Sequence, residues 1–258
     1  MSPMPELVIL LPTKNEEEGV GEVIDRIPKM EIEKRGFSVR VIVVDGSSTD
    51  STREIAASKG VEVILQKSAQ GKGWGFREAI QIILNGRDSK GDCLIMLDAD
   101  ATYRPEEIPL FITELQSCDV VWGSRLRGKI EEGAMSMTNW IGNYLLSLSA
   151  SIIFLRRTTD LCTGFWGFRS NILSTLPLTA KGFTLEAELF GLSMRYKLIT
   201  KEIPIDYDRR EGKSTLRWYI DGPRIFLASI KKRFEYTRKP VHDLLYISAF
   251  TALVLSVL

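Results

Sequence analysis

The stretch Asp92–Asp100, DCLIMLDAD, passes from an apolar run directly into two carboxylates one residue apart. Leu94–Leu97 reads as a strand buried on both faces, the kind found in parallel sheets. In an extended segment residues two apart point to the same side, so Asp98 and Asp100 are expected to project together. An unpartnered buried carboxylate is costly, and two sharing one site repel each other. Their position therefore calls for positive charge. A hard divalent cation, Mg²⁺ or Mn²⁺, bridging carboxylate and phosphate oxygens would supply it. The local alternative is an N-cap with a solvated turn acid, which an isolated D-x-D pattern also fits.

Four further apolar runs flank this one: Glu6–Pro12, Val39–Gly46, Val61–Gln66 and Asp119–Arg125. Between them lie stretches of helical character, roughly 16–29, 50–59, 73–84 and 105–116. Ser48 or Thr49 is placed to cap the second, and Pro105-Glu106-Glu107 to open the fourth. Such alternation predicts an α/β fold with a mostly parallel central sheet flanked by helices. Ligands on such sheets bind beyond the carboxyl ends of the strands. Four polar clusters fall there: PTKNEEE, DGSSTDST, DADATY and GSRLRG. Each alone is a good turn or helix start; together on one edge they define a candidate site.

Composition narrows the chemistry. The chain of 258 residues has a formal net charge of +1, which argues against nucleic-acid binding through a global basic field. Its three cysteines, Cys93, Cys118 and Cys162, lack zinc-like spacing and read as buried thiols in a reducing compartment. The one histidine, His242, lies beside the apolar C-terminal stretch, which excludes Ser-His-Asp, Cys-His and histidine-ligated metal sites. Carboxylates, arginines, lysines, backbone groups and a bound cation remain.

The motifs VILLPTKNEE, VIVVDGSSTDST, GKG (Gly71–Gly73), LIMLDAD, VVWGSR, DLCTGFWGFR and DYDRREGKSTL run in order over about residues 7–216. In this the chain resembles the family 2 inverting glycosyltransferases of GT-A fold, and most of all the dolichyl- or polyprenyl-phosphate mannose synthases. The resemblance implies that Pro12, Thr13, Asn15, Glu16 and Asp45 hold the base and ribose of a nucleotide sugar, with Lys72 of GKG also on the donor side. It implies that Asp98 and Asp100 bind the metal and diphosphate. Arg125, Arg209, Arg210, Lys213 and Ser214 match positions that handle phosphate, and guanidinium forks suit phosphate oxygens. Two departures stand out. Asp45-Gly46 replaces two adjacent acids, and AMSMTNWIGN after GSRLRG lacks the basic residues usual at the start of that helix. Asn139 and Asn143 are the polar groups available there.

The implied reaction transfers a hexose, by resemblance mannose from GDP-mannose with UDP-glucose as the alternative, to a polyprenyl or dolichyl phosphate. An anionic phosphate needs no general base, which accords with the lack of histidine around the motifs. A hydroxyl acceptor would need one, and Glu186 or Glu188 in KGFTLEAELFGL could serve, or else be solvated or structural. On a helix these two point in different directions. Other readings are a nucleotidyltransferase, against which stands the lack of a Gly-rich, Arg-containing loop after the first strand, and a non-enzymatic membrane-associated binding protein.

Residues 1–216 would form the catalytic domain. Residues 217–240, WYIDGPRIFLASIKKRFEYTRKP from Trp218 on, mix aromatic and basic residues as a juxtamembrane segment does, facing the cytoplasm. The tail 241–258 contains the uncharged run Leu244–Leu258, shorter than a bilayer at ~22 Å. It reads as an incomplete membrane span or as a short docking helix. A second apolar stretch, Trp140–Arg157, reads as a core helix or as an amphipathic wall for an acceptor.

Overall fold

The computed structural model describes residues 4–67, 71–84, 91–210 and 218–234. The runs read as strands form β1 (Glu6–Thr13), β2 (Ser38–Asp45), β3 (Glu62–Leu65), β4 (Cys93–Met96) and β5 (Val120–Ser124). Two more, β6 (Trp166–Arg169) and β7 (Thr200–Pro204), complete a seven-stranded sheet of order β3-β2-β1-β4-β6-β5-β7. β6 runs antiparallel to both β4 and β5; the other pairings are parallel.

Alternation along the strands supplies two cores. Leu7, Ile9 and Leu11 of β1 face one cluster with Val41, Val43 and Ile95, while Val8 and Leu10 face the other with Ile42, Val44, Leu94 and Met96. The first face is covered by α1 (Val20–Arg26), α2 (Lys29–Lys34), α3 (Thr52–Ser58) and α5 (Ile108–Leu115), which contribute Val23, Ile32, Ala56 and Phe111 to that core. The second is covered by α4 (Lys72–Leu84), α6 (Met137–Phe154), α7 (Ser170–Leu173), α8 (Leu185–Arg195) and α9 (Trp218–Phe234), contributing Phe76, Ala150, Leu173, Phe190 and Ile225. This is the expected helix–sheet–helix layering. The chain crosses from β2 and β3 back past β1 to β4, so the β1–β4 boundary is the switch point where a crevice opens.

Three local expectations are corrected. β4 ends at Met96, and Asp98 and Asp100 lie on the bend that follows, with Ala101 at φ 60°. Ser48 and Thr49 do not cap α3. Their amides instead donate to the Asp45 carboxylate and to Asn15 Oδ1, joining the loops after β1 and β2. The first helical stretch begins at Val20 rather than residue 16, because Asn15 takes a left-handed φ of 56° and the Glu16 amide donates to Thr52 Oγ1.

No helix among the described residues is long and apolar enough to cross a membrane. His242 and the whole 241–258 tail lie outside the described residues, as do 235–240 of the juxtamembrane segment.

Candidate active site

The strand ends and α6 enclose a cavity of about 800 Å³. Pro12, Thr13 and Glu16 reach it from the end of β1, Asp98 and Asp100 from the bend after β4, and Arg125 from the end of β5. Lys72 enters from the start of α4 and Arg210 from the segment after β7. Asn15 and Asp45 are not on the wall. Asp45 is fully buried and accepts from the Ser48 amide, while Asn15 Oδ1 accepts from the Thr49 amide, so both brace the loops behind it. Arg209 is turned outward, its Nε donating to the Glu132 carbonyl. Lys213 and Ser214 lie outside the described residues.

The acids are gathered into two ionic clusters. In one, Arg210 spans Asp100 and Glu16, with Nη1 2.6 Å from Asp100 Oδ2 and Nη2 2.6 Å from Glu16 Oε1. Asp100 Oδ1 also accepts from Thr102 Oγ1 at 2.6 Å, which fixes its rotamer. In the other, the Lys72 ammonium lies 2.7 Å from both Asp98 Oδ1 and Glu186 Oε1. Asp98 is packed against bare backbone: a Cβ on Gly164 would stand 2.2 Å from its Oδ2. Gly71, at φ +135°, ends the loop before α4 where a Cβ would lie 2.3 Å from the Lys181 carbonyl oxygen.

Four carboxylates thus share two cations, and the acidities record the deficit. Burial, with Asp100 and Asp98 nearby, pushes Glu16 up to about 7 despite Arg210. Burial and then the Asp98 charge raise Asp100 as well. Burial alone would lower the Lys72 ammonium, but Asp98 and Glu186 outweigh it and hold it above the ordinary lysine range. Glu186 is nevertheless raised by its own burial, because one ammonium divided between two carboxylates cannot neutralise both. Such a surplus of hard oxygen donors suits Mg²⁺ or Mn²⁺. Among the described residues no group of three His, Cys, Asp or Glu side chains is set to hold an ion alone. Asp98 and Asp100 would therefore share a cation with ligand oxygens. The Arg210 Nε–H, buried and without a partner among the described residues, is a further donor at the same spot.

Arg125 is not a free cation on the cavity wall. It is buried and forms a fork on Asp160, Nε to Oδ2 and Nη2 to Oδ1 both at 2.7 Å. Its guanidinium lies 5.1 Å from the centre of the Tyr207 ring, and Asn143 Nδ2 donates to Asp160 Oδ1 at 2.6 Å. Burial opposes its charge, but Asp160 outweighs burial and raises the Arg125 pKa. Much of its hydrogen-bonding fork is therefore already engaged. Asp160 was not singled out from the sequence; its one signal was that it opens the DLCTGFWGFR motif.

Glu186 and Glu188 diverge as helix geometry requires. Glu186 faces the cavity, whereas Glu188 is buried beneath it, accepting from the amides of Thr179 and Ala180 and pairing with Lys232 at 2.7 Å. Cys162 also lines the cavity, but burial and then Asp160 push its thiol up to about 12, which keeps it protonated and a poor nucleophile. Cys93 and Cys118 are buried as expected.

The fold and this edge of the sheet define an α/β protein that places paired acids and cations over a switch-point crevice. Residues 8–176 match the model of the family described as "Glycosyl transferase family 2", and the chain belongs to that family. It is 32% identical over 223 residues to the low-salt glycan biosynthesis hexosyltransferase Agl6 of Haloferax volcanii, covering 85% of this chain but 52% of that protein, about half its length. It is 30% identical over 234 residues to the dolichyl-phosphate hexose transferase of the same organism, covering 89% of this chain and 95% of that protein. Among solved structures, glucosyl-3-phosphoglycerate synthase from Mycobacterium tuberculosis with Mn²⁺, UDP and phosphoglyceric acid superposes with a TM-score of 0.68 at 18% identity, covering 93% of this chain and 84% of that one. That likeness shows the fold, which is GT-A.

Proposed function

We propose that this chain transfers a hexose from a nucleotide diphosphate sugar, with inversion, to a polyprenyl or dolichyl phosphate at the cytoplasmic face of a membrane. The observation that carries the reading is the double use of α6. Its inner side contributes Asn139, Gly142 and Asn143 to the cavity wall. Its outer side exposes Trp140, Ile141, Tyr144, Leu145, Leu148 and Ile152, and Leu145 belongs to both. An apolar helix surface running into an anion-directed cavity suits an acceptor with a phosphate head and an isoprenoid tail. Arg156 and Arg157 follow the helix, exposed, where they would meet anionic headgroups. The similarity to a dolichyl-phosphate hexose transferase supports the same acceptor class.

In this reading Pro12, Thr13 and Glu16 bound the nucleoside end of the donor. A Mg²⁺ or Mn²⁺ ion held by Asp98 and Asp100 would stabilise negative charge on the departing diphosphate. Arg210 supplies a donor to the same phosphates through its Nε–H, and Lys72 holds Asp98 in place through its 2.7 Å contact. An acceptor phosphate oxygen attacks the anomeric carbon as the bond from that carbon to the diphosphate oxygen breaks. The nucleoside diphosphate leaves with the electron pair, and no proton has to move. Arg125 orients the acceptor side of the cavity through Asp160 and Asn143, and Lys213 and Ser214 are assigned to phosphate by resemblance. GDP-mannose is the donor proposed from that resemblance, ahead of UDP-glucose. A hydroxyl acceptor is the second reading, favoured by Glu186, whose buried and weakened acid faces the cavity.

The test is turnover of GDP-mannose or UDP-glucose with a polyprenyl phosphate in detergent and Mn²⁺, read by mass spectrometry of lipid-linked sugar. Asp100→Asn and EDTA should each abolish product. Donor binding without lipid product, together with transfer to a hydroxyl acceptor that Glu186→Gln abolishes, would favour the second reading.

A further inference from the structure

Arg210 reaches Asp100 and Glu16 from an irregular segment, 206–210, whose placement is held from outside the cavity. On one side residues 129–132 hold it, through the Lys129 amide to Asp206 and backbone bonds between Tyr207 and both Lys129 and Glu131. On the other side Arg104, which is not on the cavity wall, makes the attachment next to the acid pair. Arg104 lies a few residues after Asp100 on the same irregular stretch, and its guanidinium grips two acids of the segment: Nε and Nη2 on Asp208 at 2.8 and 2.6 Å, and Nη1 on Asp206 at 2.6 Å. The Asp208 amide donates to the Thr102 carbonyl at 2.9 Å, and Tyr103 pairs with Tyr207 in a short antiparallel bridge. Segment 102–104 therefore ties the bend carrying Asp98 and Asp100 to the segment carrying Arg210.

We infer that Arg104 is a positioning residue, a strap that sets Arg210 over the acid pair. The inference rests on the catalytic reading above only for its kinetic consequence. Removing Arg104 leaves Asp206, Asp208 and the half-buried Glu107 together, with Arg26, at 3.8 Å from Asp208, the remaining cation paired with them among the described residues. Their repulsion would lift the segment, and Arg210 with it. Arg104→Lys keeps the charge but loses the planar fork, so it should restore part of the hold.

Two readouts test this on the full chain. Trypsin cleavage after Arg209 and Arg210, followed by mass spectrometry, should accelerate at least ~10-fold in Arg104→Gln, less in Arg104→Lys, with cleavage elsewhere unchanged, because protection follows local opening. In the transfer assay Arg104→Gln should lose on the order of 10- to 100-fold in kcat/KM, the scale of a misplaced catalytic group. Arg104→Gln combined with Arg210→Gln should be about as active as Arg210→Gln alone, since residues acting through one contact are not additive. Unchanged proteolysis, or losses that multiply in the double variant, would overturn the strap. If the wild type makes no lipid-linked sugar, the acceptor reading fails while the proteolysis comparison still decides the role of Arg104.

Discussion

At the residue scale the site depends on carboxylates held tightly against backbone. Gly164 gives Asp98 its place, since any side chain there would occupy the carboxylate's own volume. Gly164→Ala should therefore leave the fold intact by circular dichroism yet lower kcat/KM at least ~10-fold by turning Asp98 away from the cavity. Arg125 presents the opposite economy, a charge buried for the sake of its partner. Asp160→Ala would leave that guanidinium unpaired and is expected to destabilise the protein by ~3–5 kcal/mol in denaturant unfolding. The acid pair was legible in the sequence through its position, at the end of an apolar run on the edge where the other polar clusters gather, since the D-x-D pattern alone also fits a turn. Asp160 was not, because a lone aspartate in a loop has many innocent explanations, and its partner lies 35 positions away.

At the element scale α6 decides how the cavity meets its surroundings. Its first turn is capped by Ser136, whose Oγ accepts from the Asn139 amide at 3.2 Å. Ser136→Ala should cost ~0.5–1 kcal/mol of stability and loosen the wall that carries Asn139. Its outer face is a stripe at helical spacing, with Trp140 and Tyr144 stacked at 5.6 Å. Replacing Trp140 and Leu148 by Ser should reduce sedimentation with anionic vesicles several-fold without lowering the melting temperature, because neither side chain is in the core. From the sequence this stretch stood open between core helix and amphipathic wall. It proves to pack Ser147, Ala150 and Ile153 inward, with Leu146 and Phe154 against the same core, while leaving Trp140, Ile141, Tyr144, Leu145, Leu148 and Ile152 exposed. β6 and β7 were not read as strands: Trp166–Arg169 is short, and Thr200–Pro204 lies at the sheet edge with little apolar signal.

At the scale of the whole molecule, burial of acids couples stability to pH. Glu16 and Glu107 are both pushed by burial from 4.5 up to about 7. The folded protein holds these protons more tightly than the unfolded chain, so their stabilising contribution is complete below about pH 4.5 and is lost as pH rises through about 7. Asp208 acts in the opposite sense. Arg104 holds it below its ordinary value, so its contribution is lost as pH falls below about 3.8. Melting temperature should thus peak on the mildly acidic side and decline toward pH 8. Glu107→Gln, which removes a carboxylate with a buried unpartnered oxygen, should recover ~1 kcal/mol at pH 8 and little at pH 5.

The succession of the first five strands with the helices between them, the edge where ligands would gather and the identity of the paired acids were determined by the sequence itself. They rest on local periodicity and on short polar segments that end apolar runs. Which charges neutralise which was decided by tertiary structure alone. Arg210 meets Glu16 across 194 positions and Lys72 meets Glu186 across 114, and no local pattern encodes such pairings. The sheet brings these residues together because every strand feeding the crevice ends on the same edge. The balance of burial against charge that weakens Glu16, raises Asp100 and commits Arg125 to Asp160 exists only once that edge has closed.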